Sequence, residues 1–335
     1  MARLRVAVVM GGVSCERDVS LRSGRCVAAA LQQKGYEVVP IDLCCESIDE
    51  IVAVRPDVVF IALHGEFGED GTIQALLEQA GLAFTGSGAV ASRLGMDKVA
   101  AKRCFITHGV STPPFRLISK LDTWGQLGRA MGEIGLPLVV KPLRQGSSIG
   151  VAIVEEIEAV VSALRDAFAY GDEVLLEQKI EGRELTVGVL AERALPIIEV
   201  RPRRPFFDRE AKYVDPATLY ITAPELDELT YGVVQDVAVR AHLAIGARDF
   251  SRVDLILAED GRPFVLEVNT IPGLTERSLL PLAAQVAGLS FAELCDSIVR
   301  MALLRSPTAA ADTASHLAEA TAGREVVPPV VAASA

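Results

Sequence analysis

The stretch RVDLILAEDGRPFVLEVNTIPG, from Arg252 to Gly273, restricts the possible folds of this chain more than any other. Asp260-Gly261 between two apolar runs signals a β-hairpin, and a two-residue type I′ turn there fixes the register of both strands. With Glu259 opposite Arg262, Asp254 falls opposite Glu267 and Arg252 opposite Asn269. Side chains alternate along a strand, so these four polar groups share one face. The pairs Val253/Val268, Leu255/Leu266 and Leu257/Phe264 make the other face apolar. Two carboxylates directly opposed, with Cβ atoms about 4.5–5.5 Å apart, repel each other. A hard divalent cation removes the repulsion, and Mg²⁺ typically takes one or two carboxylates plus substrate phosphates. Asp254, Glu267 and the Asn269 amide oxygen form such a donor set. A solvated hairpin face is the plain alternative, and it leaves the apolar neighbours and Arg252 unexplained.

Mg²⁺ bound this way accompanies a nucleotide, so the chain should also carry phosphate binders. In VVKPLRQGSSIGV (139–151) a strand delivers Lys141, and Gly146-Ser147-Ser148-Ile149-Gly150 then makes a tight turn. Small residues let backbone N–H groups approach phosphate oxygens, and serine hydroxyls add donors. The lysine precedes the glycines and no helix follows, so this is not a Walker A loop. Alone, a Gly-Ser reversal is an ordinary turn; beside a strand-end lysine the two readings weigh equally. Lys98, in GMDKVAAK, is a second candidate phosphate ligand, although a helix lysine by itself is a surface charge.

The surrounding pattern predicts an α/β (α+β) chain of several domains. Residues 1–95 alternate strand and helix: strands at 5–10, 36–41 and 57–63, helices at 19–34 and 48–55. Such alternation implies parallel βαβ units in a small doubly wound domain. Its ligands gather beyond the carboxyl ends of the strands, where GGVSCERDVS and HGEFGEDG fall. Residues 96–182 mix strands and helices in an α+β order, and residues 183–305 add further strands, helices at 224–246 and 290–304, and the hairpin. The Ala-rich segment 306–335 has no sustained periodicity and reads as a disordered tail.

A net charge of −11 argues against nucleic-acid and acidic-membrane partners. Nothing approaches the roughly 18 unbroken apolar residues of a membrane span. The apolar run in MARLRVAVVMGG ends in Gly-Gly, which favours a first strand over a signal peptide. Six cysteines without CxxC spacing and four scattered histidines favour neither disulfides nor zinc, and point to a reducing cytoplasm.

The segments HGEFGEDGTIQALLEQAGLAFTGSG, MDK, VVKPLRQGSSIGV, EGRELTVGVL, REAKY and RVDLILAEDGRPFVLEVNTIPGLTERSLLP occur in that order. Together they resemble the D-alanine–D-alanine ligases of the ATP-grasp superfamily, from about Arg5 to Leu304. The resemblance implies an ATP-grasp fold, with ATP held between the 96–182 and 183–305 units behind a Rossmann-like N-terminal domain. It implies that Lys98 and Lys141 contact the α/β-phosphates under the Gly146–Gly150 turn, with Ser148 among the donors. Glu177 would accept from the adenine amino group, the backbone of Lys179 and Ile180 would complete that contact, and Glu184 would bind the ribose. Asp254, Glu267 and Asn269 would hold Mg²⁺ or Mn²⁺, as two ions. Arg252 and the Gly273 backbone N–H would stabilise the oxyanion.

On the substrate side, the resemblance implies that Glu16 binds the ammonium of the first D-alanine, with His64 near its carboxylate. Ser278, beside Leu279, would bind the carboxylate of the second. The segment 201–222 would be a lid, with Lys212 on the γ-phosphate and Tyr213 bonded to Ser147 and Glu16. Tyr213 favours D-alanine over D-lactate as acceptor, and a homodimer is the family's common state. Lys179 replaces an aromatic residue, and Gln145 an acid, found in some relatives. Arg201, Arg203 and Arg204 have no assigned role. Three other readings are another acceptor (D-lactate or D-serine), a non-catalytic nucleotide binder, and an NAD-dependent oxidoreductase. The last is suggested by VVMGG but lacks GxGxxG.

Overall fold

The structure is a computed structural model, and it describes residues 3–201 and 218–305. Lys212, Tyr213, Arg203, Arg204, most of the expected lid and the 306–335 tail lie outside the described residues. The first sheet is parallel, with β1 (Arg5–Gly11) between β2 (Glu37–Leu43) and β3 (Val58–Ile61). The run from Val6 to Met10 is wholly buried, as a central parallel strand covered on both faces must be. Helices α1 (Arg17–Gln33) and α2 (Asp49–Ala53) follow the expected alternation. Two further helices, α3 (Thr72–Gln79) and α4 (Ala89–Met96), were not expected. Each has only eight residues, too short for a clear 3.6-residue period. Gly71 lets them meet: its φ is +90°, and a Cβ there would sit 2.3 Å from the Ala89 carbonyl oxygen.

After α5 (Lys98–Thr107), capped by the Asp97 carboxylate on the Ala100 N–H, comes a four-stranded antiparallel sheet. It contains β4 (Phe115–Ser119), β5 (Leu138–Pro142), β6 (Ala152–Val154) and β7 (Glu173–Gln178), in the order β4-β7-β5-β6. Helices α6 (Trp124–Ile134) and α7 (Val160–Ala167) supply its core. A capping box between Thr123 and Gln126 starts α6.

The third sheet is antiparallel, in the order β10-β9-β8-β11-β12. Its strands are β8 (Gly182–Leu190), β9 (Arg193–Arg201), β10 (Leu219–Ile221), β11 (Phe250–Ala258) and β12 (Pro263–Asn269). Helix α8 (Glu228–Ala244) covers one face. Helices α9 (Leu279–Val286) and α10 (Phe291–Leu304) join the other face to the first sheet. Leu294 and Ile298 of α10 share a core with Val27 and Leu31 of α1, so the N-terminal unit is seated on the third sheet. No single described helix is long and apolar enough to cross a membrane.

The β11–β12 hairpin forms with one correction. The Ala258 N–H donates to the Arg262 carbonyl at 3.0 Å, so the loop holds three residues, Glu259-Asp260-Gly261, instead of two. Gly261 takes the left-handed φ of +81° that such a loop uses. Near the turn the pairs are therefore Leu257/Pro263, Ile256/Phe264 and Leu255/Val265, and the expected Leu255/Leu266 and Leu257/Phe264 pairs do not occur. A bulge beside Leu255 absorbs Leu266, and the register returns to Asp254/Glu267, Val253/Val268 and Arg252/Asn269. Two one-residue shifts cancel, and the polar pairs are as expected.

His242 of α8 is fully buried against the Ser251 hydroxyl at 2.7 Å, and burial pushes its pKa down to about 4. A histidine held neutral in the fold stabilises it fully above its ordinary value of 6.5. That stability is lost as pH falls from there towards 4, by about 3 kcal/mol over the interval. His242→Gln should therefore flatten unfolding free energy against pH in this window. An unchanged slope would assign the acid sensitivity elsewhere.

Candidate active site

A cavity of about 510 Å³ opens between the second and third sheets. Lys141 and Glu177 line it from the second sheet, Lys179 to Glu184 from the connection into β8, and Ile256 and Leu266 from the hairpin. The bulge accounts for Leu266, which turns into the cavity beside Ile256 instead of joining the apolar face. The two make an apolar surface for a flat ring.

Glu177 is no surface charge: it is 1 % exposed and held by two lysines. Lys141 Nζ lies 2.5 Å from Oε1 and Lys102 Nζ 2.6 Å from Oε2. Burial opposes its ionisation, but the two ammonium groups outweigh burial and hold its carboxyl below the usual range. Glu184 lines the same cavity. The Lys179 ammonium pairs with Glu181, and Ile180 lies on the cavity wall. Glu199, buried in the wall, is bracketed by Arg183 and Arg201, which gives Arg201 a structural partner.

The Gly-Ser turn is anchored at Gln145 and at Ser147. Lys98 Nζ donates to the Gln145 carbonyl at 2.6 Å, so Lys98 holds the start of the turn. Ser147 and Ser148 both adopt left-handed φ, 51° and 57°, a conformation that costs a residue with a Cβ about 1–2 kcal/mol. The Ser147 hydroxyl donates to the Glu16 carboxylate, tying the turn to the N-terminal unit. Gly65 and Gly146 make room for that carboxylate: a Cβ at either would lie 3.0 Å and 3.2 Å from Glu16 Oε2.

On the hairpin, Arg252 forks onto Asp254, Nε to Oδ1 at 2.8 Å and Nη2 to Oδ2 at 2.7 Å. Thr186 Oγ1 donates to Asp254 Oδ1 at 2.7 Å, and Asn269 Nδ2 to Oδ2 at 3.1 Å. Much of the charge on Asp254 is thus balanced by a protein cation. Glu267 accepts no hydrogen bond among the described residues, although it lies opposite Asp254. No cluster of three His, Cys, Asp or Glu side chains occurs among the described residues. Two carboxylates and an amide oxygen, with Glu267 unengaged by hydrogen bonds, fit Mg²⁺ or Mn²⁺ completed by phosphates and water.

Beyond Asn269 the chain turns at Pro272-Gly273 into α9. The Ser278 side chain sits over Gly273, 3.0 Å from where a Cβ would be, and accepts from the Thr275 N–H at 3.0 Å. Ser278 and Leu279 therefore start α9 beside the Gly273 backbone. His64 is buried, with Nε2 3.2 Å from the Ser23 hydroxyl, and that hydroxyl accepts from the Leu274 N–H at 3.2 Å. One serine thus links His64 to the segment bearing Gly273.

The structure brings Glu16 to Ser147, Lys141 to Glu177 and Arg252 to Asp254 and Asn269. Lys98 meets the turn through its carbonyl. Sequence reasoning missed Lys102, Thr186 and Ser23. Lys102 follows Lys98 at i+4 on α5, the one signal that could have drawn attention to it.

Two α+β sheets closing on a cleft, behind a parallel α/β unit, are the ATP-grasp arrangement, the architecture of nucleotide-driven ligases. Residues 45–87 match the family described as D-ala D-ala ligase N-terminus, and residues 105–300 match D-ala D-ala ligase C-terminus. The D-alanine–D-alanine ligase of Syntrophotalea carbinolica is 47 % identical over 90 % of this chain and 97 % of its own. The crystal structure of the Bacillus anthracis ligase complexed with ATP is 34 % identical, with a TM-score of 0.79 over 90 % of this chain and 97 % of its own. The VanG D-Ala:D-Ser ligase of Enterococcus faecalis is 28 % identical, with a TM-score of 0.81 over 90 % of this chain and all of its own. This chain belongs to the D-alanine–D-alanine ligase family.

Proposed function

We propose that this chain joins two D-alanines at the expense of ATP, through an acyl phosphate, to supply D-alanyl-D-alanine for peptidoglycan. The observations that support the residue assignment are the bond from the Ser147 turn of the second unit to Glu16 of the first, and the fork of Arg252 onto Asp254 on the hairpin of the third. Adenine rests on Ile256 and Leu266, its amino group donating to Glu177, with the backbone of Lys179 and Ile180 alongside and Glu184 on the ribose. Lys98, Lys141 and the turn with Ser148 hold the phosphates, and Lys212 reaches the γ-phosphate. Asp254, Glu267 and Asn269 hold Mg²⁺ or Mn²⁺, which when bound neutralises phosphate charge.

Glu16 orients the first D-alanine by its ammonium, next to His64. The carboxylate oxygen of that D-alanine attacks the γ-phosphorus, and ADP leaves. The amine of the second D-alanine, held at its carboxylate by Ser278 and Leu279, attacks the acyl carbon. Arg252 and the Gly273 N–H stabilise the oxyanion until phosphate leaves. Positioning and charge complementarity supply the rate. Tyr213 joins Ser147 and Glu16 in closing the lid. The units are 1–95, 96–182 and 183–305, and we expect a cytoplasmic homodimer without nucleic-acid or membrane partners.

The test is ADP and phosphate release with D-alanine against L-alanine, with and without Mg²⁺, and dipeptide detection by mass. Release that depends on D-alanine and Mg²⁺ is expected. D-Serine and D-lactate as acceptors should give lower kcat/KM than D-alanine. Release indifferent to D-alanine would overturn the reading.

A further inference from the structure

We propose that Lys102 is a positioning residue that sets nucleobase selectivity, acting through Glu177; this rests on the ATP reading above. Lys102 lies on α5, is 1 % exposed, and contacts the second sheet directly and the third through Thr112, in the loop before β4. Its Nζ is 2.6 Å from Glu177 Oε2 and donates to Thr112 Oγ1 at 2.6 Å. The Thr112 hydroxyl donates in turn to the Val265 carbonyl at 2.7 Å. Val265 immediately precedes Leu266, the bulge residue on the cavity wall. One ammonium therefore ties the carboxylate at one side of the base pocket to the apolar surface at the other.

A buried lysine is costly, and a bland structural role would be met as well by an apolar side chain of similar volume. Burial indeed pushes its pKa down to about 8, with Glu177 opposing the fall. What an apolar side chain could not do is hold Glu177 ionised and oriented. Lys141 donates to Oε1 and the Lys102 ammonium pairs with Oε2, which has no hydrogen-bond donor of its own among the described residues, so the carboxylate is held between two cations and keeps an acceptor to offer. An acceptor in that place favours adenine, which offers an amino donor at position 6. It rejects guanine, which presents a carbonyl oxygen there and leaves two acceptors facing each other. Selectivity built on an unpaired buried polar group is stronger than selectivity built on shape alone.

The experiment is phosphate release by the full chain at saturating D-alanine and Mg²⁺, with ATP and GTP varied in turn. Lys102→Met should raise KM for ATP about ten- to thirtyfold, leave KM for D-alanine unchanged, and lower the ATP/GTP ratio of kcat/KM by about tenfold. In a Glu177→Gln background the same change should move the ratio no further, because Lys102 acts through that carboxylate. A fall in Tm with an unchanged ATP/GTP ratio would reduce Lys102 to a structural role and overturn the proposal. So would a further fall in the ratio in the Glu177→Gln background. If Lys102→Met does not fold, Thr112→Val, which keeps the charge, is read in the same way. A fall of about threefold in the ratio then supports the proposal, and no fall overturns it. Wild-type enzyme without D-alanine-dependent release would defeat the ligase reading itself, a separate outcome.

Discussion

Replacing Glu267 by glutamine is expected to reduce dipeptide formation by about a thousandfold while leaving the nucleotide-free protein as stable as before, or more so. The two effects have one origin. Glu267 faces Asp254 across the hairpin and accepts no hydrogen bond among the described residues; the buried Lys102 ammonium attracts it only through the weakest of the charge effects on that lysine. Removing that charge relieves repulsion with Asp254 and removes the proposed metal ligand at the same step. Wild-type enzyme should gain about 2–3 kcal/mol of unfolding free energy with Mg²⁺-ATP at a hundredfold excess over Kd. The variant should gain far less. Thermal unfolding with and without Mg²⁺-ATP, beside a phosphate-release assay, checks both. Near-wild-type turnover would take Glu267 out of the metal site, and a loss of unliganded stability would show that it serves the fold.

Arg252→Met should have the opposite effect on stability. Activity is again expected to fall by about a thousandfold or more, since the group meant for the phosphoryl and the oxyanion is gone. Stability should fall as well, by about 3 kcal/mol, because the largely buried Asp254 carboxylate loses its bidentate cation and keeps neutral donors such as Thr186 and Asn269. The double variant Arg252→Met/Asp254→Asn, which removes both charges, should recover most of the stability and none of the activity. Denaturant unfolding and steady-state kinetics on the three variants separate the roles. If Arg252→Met alone were as stable as wild type, the ion pair would not be what keeps Asp254 in place.

The polar pairs of the hairpin came out as expected because two departures cancelled: the three-residue loop moved the register by one and the bulge at Leu266 moved it back. Once one pair is fixed, Arg252, Asp254, Glu267 and Asn269 must share a side, and they do. The register nearer the turn was not legible, since Asp-Gly suits both two- and three-residue loops and the choice depends on packing. Glu177 and Glu184, which line the cavity, could be singled out only through family resemblance, because an acid at a strand end looks like any surface charge. Lys102 was invisible for a stronger reason. Nothing in MDKVAAK marks one lysine as buried and another as facing the turn; that depends on which sheet packs against α5. Helices α3 and α4 were missed because eight residues give too little period to read. Ser23 and Thr186 are small hydroxyls whose partners lie far along the chain, and no local spacing announces them.

The single extra residue in β12 separates two duties that a regular strand would confuse. Neighbouring side chains on an even ribbon look to opposite sides, yet Leu266 borders the cavity proposed for the base while Glu267, one step along, lies opposite Asp254. Bulk at position 266 can therefore drift to suit a different heterocycle without disturbing the acid beside it, and the acid can be held fixed while the pocket is reshaped.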